Sequence, residues 1–228
     1  MQIIPIKNKF IKSNINIIIL SLVITTLFIN SIAYLLKNTF LNTEILNFAL
    51  LSMQQGVLVL WIYYFIKKGV IKNIKKIFVI PKTTLLIAEI LKTYLYLFAF
   101  GILLGVLKHS FGVEVPGFSE QKNILALFPS TGILFYFTII NATLFAPIIE
   151  EVVFRGALLK NLCEKYSDTT SVILSSIVFS LIHFQPEVFG AIFVISILLS
   201  RLFLKTNSLI APILFHIINN LLKTIISL

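Results

Sequence analysis

Two adjacent glutamates and an arginine stand in one of the most apolar stretches of this chain. Glu150 and Glu151 are followed by Arg155, and the three residues between Glu151 and Arg155 are all apolar. A charge at the centre of a membrane helix costs about 2.5–3.5 kcal/mol, so ionisable groups there indicate a functional site. Helical spacing puts Glu151 and Arg155 on one face, where they can pair. Glu150, about 100° around the helix, is left free to take or give a proton.

Two histidines lie further along the chain in similarly apolar surroundings. His183 follows Phe179 by one helical turn, and His216 precedes Asn220 by one turn. Each pair therefore shares a helix face. Burying a polar group among Ile, Leu and Phe costs free energy unless the group is hydrogen-bonded, so such a group is expected to have a structural or functional role. These four residues are therefore candidates for the same site as the glutamates.

The polar segment 164–169 predicts a tight turn between two helices. Glu150 and His183 lie at nearly equal distances along the chain on either side of Tyr166. In an antiparallel helix pair they reach the same depth, each roughly 25 Å from the turn at 1.5 Å per residue. Pro147, one turn before the glutamates, removes a backbone hydrogen bond and predicts a kink with room for water.

The composition argues against an ordinary soluble domain. Hydrophobic residues make up 58% of the 228 residues, and charged residues only 12%. A net charge of +10 would suggest nucleic acid as the partner of a soluble protein. The cations here lie at the ends of apolar segments, so they indicate membrane topology and no nucleic-acid partner. The single cysteine, Cys163, excludes a disulfide framework and a cysteine-based metal cluster.

A helix needs about 20 predominantly apolar residues to span a bilayer. The chain contains seven candidate stretches, at 14–36, 45–66, 84–107, 131–150, 170–185, 188–204 and 208–227. They predict an all-α fold, a polytopic transmembrane helix bundle of about seven to eight spans. A turn-rich loop with Gly112, Pro116, Gly117 and Pro129 then divides the chain. Residues 1–128 hold about three spans, and residues 129–228 hold every candidate site residue.

Lysines and arginines set the predicted orientation. With the N-terminus in the cytoplasm, the inside holds Lys7, Lys9, Lys12, Lys67, Lys68, Lys72, Lys75, Lys76, Lys82, Arg155, Lys160, Lys165, Arg201 and Lys205. The outside holds Lys37, Lys108, Lys122 and Lys223. This distribution obeys the positive-inside rule. The sequence thus predicts a multi-pass protein integral to the cytoplasmic membrane, with the lipid bilayer as its partner.

Three sets of residues, each spaced as on one helix face, occur in the order Glu150-Glu151-x-x-x-Arg155, Phe179-x-x-x-His183 and His216-x-x-x-Asn220. Their order, spacing and apolar setting resemble the three motifs of the CPBP intramembrane protease family. That family includes the CaaX prenyl endopeptidases and the bacterial Abi proteins linked to bacteriocin processing and self-immunity. The resemblance covers roughly residues 130–228. Any one motif arises easily by chance, whereas all three in order are specific.

The resemblance implies a catalytic role for four residues. Glu150 and His183 would activate a water molecule for attack on a peptide carbonyl. His216 and Asn220 would then stabilise the tetrahedral oxyanion, a contribution of several kcal/mol in well-studied oxyanion holes.

The resemblance also implies supporting residues and leaves the cofactor open. Glu151 and Arg155 would support the geometry of the site, with Phe179 as a wall. A zinc ion, if one is used, would take two histidines and a glutamate and keep an open position for water. Its ligands would be Glu150, His183 and His216. The His-Glu-x-x-His helix of many zinc peptidases is absent, and the same residues also suit hydrolysis without a metal.

The predicted function is an intramembrane endopeptidase that cleaves a membrane-associated protein or peptide, such as a leader or a bacteriocin precursor. The alternative is a non-catalytic immunity or scaffold protein of the same fold. Loss of Glu150 distinguishes them, because catalysis should collapse while binding survives. A third hypothesis is a small transporter with a carboxylate proton relay, but the chain shows no paired, interrupted half-repeats.

Overall fold

Helices form nearly all of the regular structure in the computed structural model, which describes residues 6–36, 43–119 and 132–227. In chain order they are α1 (Ile6–Leu36), α2 (Thr43–Lys67), α3 (Ile74–Ile77), α4 (Thr83–Phe111), α5 (Gly132–Cys163), α6 (Asp168–Leu181), α7 (Phe189–Thr206) and α8 (Ile210–Ser227). No strand occurs within these ranges. The predicted all-α fold is confirmed.

Five stretches in the described ranges are long and apolar enough to cross a bilayer. They are Asn14–Leu36, Ile45–Lys67, Thr83–Phe111, Gly132–Cys163 and Pro186–Thr206. The spans predicted at 170–185 and 208–227 correspond to shorter apolar helices, Asp168–Leu181 and Ile210–Ile226. The first of these is about 21 Å long at 1.5 Å per residue, shorter than a hydrocarbon core of about 30 Å. The chain is therefore a polytopic membrane protein in which helices of unequal length pack together.

The predicted end of the fourth span is wrong. The sequence placed it at residue 150, with Arg155 and Lys160 in an inside loop, whereas α5 continues to Cys163. Arg155 is fully buried. A cation in an apolar sequence marks a loop only when it has no partner inside the protein, and Arg155 has several. The predicted start of this span, at residue 131, lies outside the described residues.

Hydrogen bonding in α5 is irregular on both sides of Pro147. Two π-helical stretches, Asn141–Phe145 and Val152–Leu159, flank a regular segment. The N–H of Ala146 bonds to the carbonyl of Asn141, five residues earlier. Pro147 occupies the next position and has no N–H to continue that pattern. Such π-helical stretches are rare and are frequently found at functional sites.

The loops that the sequence assigns to the inside meet at one end of the bundle. Lys72, in the connection from α2 to α4, forms an ion pair of 3.0 Å with Glu164 of the turn after α5. The turn before α8 joins the same end, where the N–H of Leu209 donates to the carbonyl of Ile77. This arrangement fits the prediction that these loops lie on one side of the membrane. Which side faces the cytoplasm stays a prediction.

The N-terminal and C-terminal helices share one apolar core. Ile18 of α1, Phe65 of α2 and Leu158 of α5 are all fully buried in it. The predicted domain boundary at residue 128, together with Lys37 and Lys122, lies outside the described residues. Helix α5 is thus enclosed by helices from both parts of the chain, and this enclosure buries its charged residues.

Serines are the commonest buried polar residues of α6 and α7. They are Ser171, Ser175, Ser176, Ser180, Ser196 and Ser200. Small residues let helix backbones approach closely in membrane proteins. Ser196 lies within hydrogen-bond distance of Arg155 on α5.

Candidate active site

Glu151 and Arg155 form a fully buried ion pair at the centre of the bundle. Nη1 of Arg155 lies 2.9 Å from Oε1 of Glu151, as the spacing predicted, and neither side chain is exposed. Nη2 donates to both the carbonyl and the hydroxyl of Ser196, at 3.0 and 2.9 Å. The ring of Phe179 lies 4.8 Å from the guanidinium carbon, a cation–π contact. The positive charge of Arg155 is therefore paired inside the protein, although its Nε has no hydrogen-bond partner among the described residues.

His216 is tied to this pair by one ring nitrogen. Its Nδ1 lies 2.9 Å from Oε1 of Glu151. A carboxylate oxygen only accepts hydrogen bonds, and this one already receives an N–H from Arg155. Nδ1 therefore carries the hydrogen and donates it. In the neutral ring, Nε2 is then left with a free lone pair.

Glu150 lies on the other side of the same histidine. Its Oε2 is 3.9 Å from Nε2 of His216, and its side chain is 23% exposed, in contrast to the fully enclosed Glu151. Two acceptors that each lie about 2.8 Å from one water oxygen are about 4 Å apart. The spacing therefore suits a single water molecule that donates one hydrogen to each residue.

His183 lies near these residues but does not touch Glu150. Its Nδ1 is 2.6 Å from the carbonyl of Phe179, so Nδ1 donates and Nε2 is free. The Phe179 ring lies 4.7 Å from the ring of His183 and 6.3 Å from that of His216. No ion-pair contact joins His183 to Glu150 in the described part of the chain. The histidine that faces Glu150 is His216 instead, with Nε2 at 3.9 Å from Oε2.

The antiparallel packing of α5 and α6, which the sequence predicted from the turn, is visible in a ring contact. Phe154 and Phe179 meet edge to face, with centroids 4.8 Å apart. The turn ends where Ser167 caps α6 by accepting a hydrogen bond from the N–H of Thr170. Phe179 thus lies beside both the ion pair and the histidines, and its role as a wall of the site stays a prediction.

Asn220 reaches α5 one turn beyond His216. Its Nδ2 donates to the carbonyl of Ala142, at 3.1 Å. In the π-helical pattern the donor to this carbonyl would be the N–H of residue 147, which is proline. Asn220 therefore supplies the hydrogen bond that Pro147 cannot make. The second hydrogen of the Asn220 amide remains for another acceptor.

Residues 132–222 match the family model described as "Type II CAAX prenyl endopeptidase Rce1-like". Over this stretch, which is less than half of the chain, the sequence is similar to that family. The match confirms the resemblance carried by the three motifs, and it contains the glutamates, both histidines and Asn220. No curated protein and no solved structure matches the chain. The family supports a CAAX-type intramembrane protease, and the long apolar helices support an integral membrane protein.

The Rce1-like region does not assemble the zinc site that the sequence offered as an option. Among the described residues, no three His, Cys, Asp or Glu side chains are grouped closely enough to hold one metal ion. Nε2 of His216 lies 3.9 Å from Glu150, whereas His183 has its closest ring contact with Phe179.

A cavity of about 380 Å³ lies between α2 and the first half of α5. Its walls are largely apolar, and it reaches Ile149, the neighbour of Glu150 in sequence. Gln55 and Asn141 are the amide side chains that line it, and both are largely buried. The amide nitrogen of Gln55 has no hydrogen-bond partner among the described residues.

Sequence reasoning missed two residues of this site. Ser196 gave no signal of its own, because serines recur along α6 and α7 and only the fold shows which one faces Arg155. Gln55 stands in the middle of the apolar helix α2, and the cost of burying an unpaired amide there was a usable signal. It lies outside the Rce1-like region, so the motifs do not point to it.

Proposed function

We propose that this protein is an intramembrane endopeptidase that hydrolyses a peptide bond in a membrane-associated protein or peptide. One observation carries the proposal: a partly exposed carboxylate, Glu150, faces the free Nε2 of His216 across 3.9 Å inside an apolar helix bundle. Charged groups are placed in such surroundings for function. The Rce1-like match supports the same class of reaction.

The first step is attack by water. A water molecule between Glu150 and His216 gives one proton to Glu150, and its oxygen bonds to the carbonyl carbon of the scissile peptide. The carbonyl oxygen becomes an oxyanion. The free N–H of Asn220 is the donor that we assign to this oxyanion.

The second step breaks the peptide bond. Glu150 returns its proton to the amide nitrogen, the C–N bond breaks, and the amine leaves with that proton. The carboxylic acid product keeps the oxygen that came from water. We assign His183, whose Nε2 has no hydrogen-bond partner among the described residues, to hold the water or the leaving amine.

The cavity between α2 and α5 supports a substrate that approaches from within the bilayer. A peptide backbone in hydrocarbon needs internal partners for its N–H and C=O groups. The amides of Gln55 and Asn141 offer such partners in an otherwise apolar groove that reaches Ile149, the residue before Glu150. A leader peptide, a bacteriocin precursor or the tail of a membrane protein has the required apolar character.

Cleavage by the wild-type protein and by Glu150→Gln tests the proposal. Both proteins are reconstituted in liposomes with candidate peptides, and new peptide ends are detected by mass spectrometry. We expect products from the wild type and a loss of about 10³–10⁴-fold with Glu150→Gln, the upper part of the range for general acid–base catalysis. Equal products from both proteins would exclude Glu150 as the base.

The chain offers a matched control for that experiment. Glu164 is also a glutamate, but it pairs with Lys72 in the turn after α5 and lies outside the site. Glu164→Gln should cleave as the wild type does, and thermal melts should show that all three proteins are folded. A parallel reaction with a chelator tests metal dependence, since loss of product there would require a metal ion in the mechanism.

A further inference from the structure

We propose that Ser196 of α7 is a positioning residue that holds His216 in one tautomer, acting through Arg155 and Glu151. The inference rests on the proposed function, because it concerns the same histidine. It is carried by an unbroken chain of buried contacts, each of 2.9–3.0 Å, from α7 through α5 to α8. Ser196 lies outside the three motifs.

The first link fixes the direction of the guanidinium group. Nη2 of Arg155 is held twice by Ser196, through the hydroxyl and the carbonyl, and the ring of Phe179 covers one face of the group. A guanidinium is planar and its donors form a rigid fork. Fixing Nη2 therefore also fixes where Nη1 points, which is toward Glu151.

The second link fixes the carboxylate. Oε1 of Glu151 receives hydrogen bonds from both Arg155 and His216. Its other oxygen, Oε2, is buried and has no partner among the described residues. The position of the carboxylate is therefore set by Arg155 and His216 alone. If Arg155 turns, Oε1 moves with it.

The third link selects the tautomer. While Oε1 lies 2.9 Å from Nδ1 of His216, the hydrogen stays on Nδ1, and Nε2 keeps its lone pair toward Glu150. When that contact weakens, the hydrogen is free to occupy Nε2 instead. Nε2 then no longer accepts a hydrogen bond from the water that Glu150 activates.

Ser200 provides a matched control on the same helix. It lies one turn after Ser196 and is equally buried. Its hydroxyl has no hydrogen-bond partner within the described ranges. Replacing either serine by alanine removes one buried hydroxyl from the contact of α7 with its neighbours, but only Ser196→Ala removes a partner of Arg155.

The test reads the tautomer of His216 directly. The full-length protein is labelled with ¹⁵N-histidine in detergent, and Nδ1 and Nε2 are distinguished by their ¹⁵N shifts and long-range ¹⁵N–¹H couplings. The signals of His109 and His183 are identified by their loss in His109→Gln and His183→Gln. The remaining histidine signals belong to His216. We expect a single Nδ1–H form of His216 in the wild type and in Ser200→Ala, and a mixture of both forms in Ser196→Ala. Ser196→Thr, which keeps the hydroxyl, should restore the single form.

A single Nδ1–H form in folded Ser196→Ala would overturn the inference, as would the same mixture in Ser200→Ala. Peptide cleavage adds a second readout, with kcat expected to fall about tenfold in Ser196→Ala at unchanged KM. A change in KM alone would also count against a positioning role. The tautomer needs no substrate, so failure of the proposed function and failure of this inference remain distinguishable.

Discussion

Glu151 and Glu150 are neighbours in the chain, yet they belong to two different regions of the molecule. The closed region consists of Glu151, Arg155 and Ser196, and none of these side chains is exposed. The open region consists of Glu150, which is partly exposed, and the cavity that reaches its sequence neighbour Ile149. His216 joins the two, with Nδ1 on the closed side and Nε2 on the open side. A step of one residue, about 100° around a helix, separates a fully enclosed carboxylate from a partly exposed one.

The two regions differ in what their charges achieve. Two charges taken out of water recover little net stability when they pair, but removing one partner of such a pair is strongly destabilising. The closed region therefore contributes a fixed geometry. Glu150 is partly exposed, and the proposed function uses this exposure for exchange of a proton with water.

The strongest test of this contrast compares the same substitution at both glutamates. Glu151→Gln leaves Arg155 as an uncompensated buried charge, and we expect the free energy of unfolding to fall by about 3–5 kcal/mol. Glu150→Gln should change it by no more than about 0.5 kcal/mol. Denaturant and thermal melts in one detergent measure both. Equal losses would show that the two regions are not distinct.

A second test concerns the hydrogen bond between α8 and α5. Asn220→Leu leaves the carbonyl of Ala142 without a donor, and we expect a loss of about 1–3 kcal/mol in the free energy of unfolding. Pro147→Ala restores a backbone N–H to α5. The effect of Asn220→Leu should therefore be smaller in the Pro147→Ala background, as measured by a double-mutant cycle. If the effects of Asn220→Leu and Pro147→Ala on the free energy of unfolding simply add, Asn220 does not substitute for the missing N–H.

The smallest effect on stability is expected in the cavity of the open region. Gln55→Leu removes a buried donor without a partner, so the free energy of unfolding should stay unchanged or rise by about 1 kcal/mol. If the cavity receives the substrate backbone, KM for peptide cleavage should rise at the same time. Gln54→Leu is the matched control, because Gln54 does not line the cavity. A clear loss of stability in Gln55→Leu would show that this amide has a structural partner.

Several features of the site follow from spacing within one helix. The spacing of four positions between Glu151 and Arg155 predicted that they pair. The polar segment after α5 predicted the turn that leads to α6. Both depend on local geometry, which is the same in every α-helix. The wrong end of the fourth span has a different origin. The sequence showed a charge at Arg155, but only its partner on α7 explains why the helix continues past it.

The sequence by itself determined an all-α membrane bundle, the three motifs and the two roles open to adjacent glutamates. It did so because hydropathy and helical period are properties of each segment alone. Only the tertiary structure decided that Glu150 faces His216 rather than His183, that Ser196 holds Arg155, and that Asn220 replaces the N–H that Pro147 lacks. These contacts join different helices, and they depend on how each helix is rotated and displaced against its neighbours. The π-helical stretches of α5 change that rotation locally, and no regular spacing along the chain encodes it.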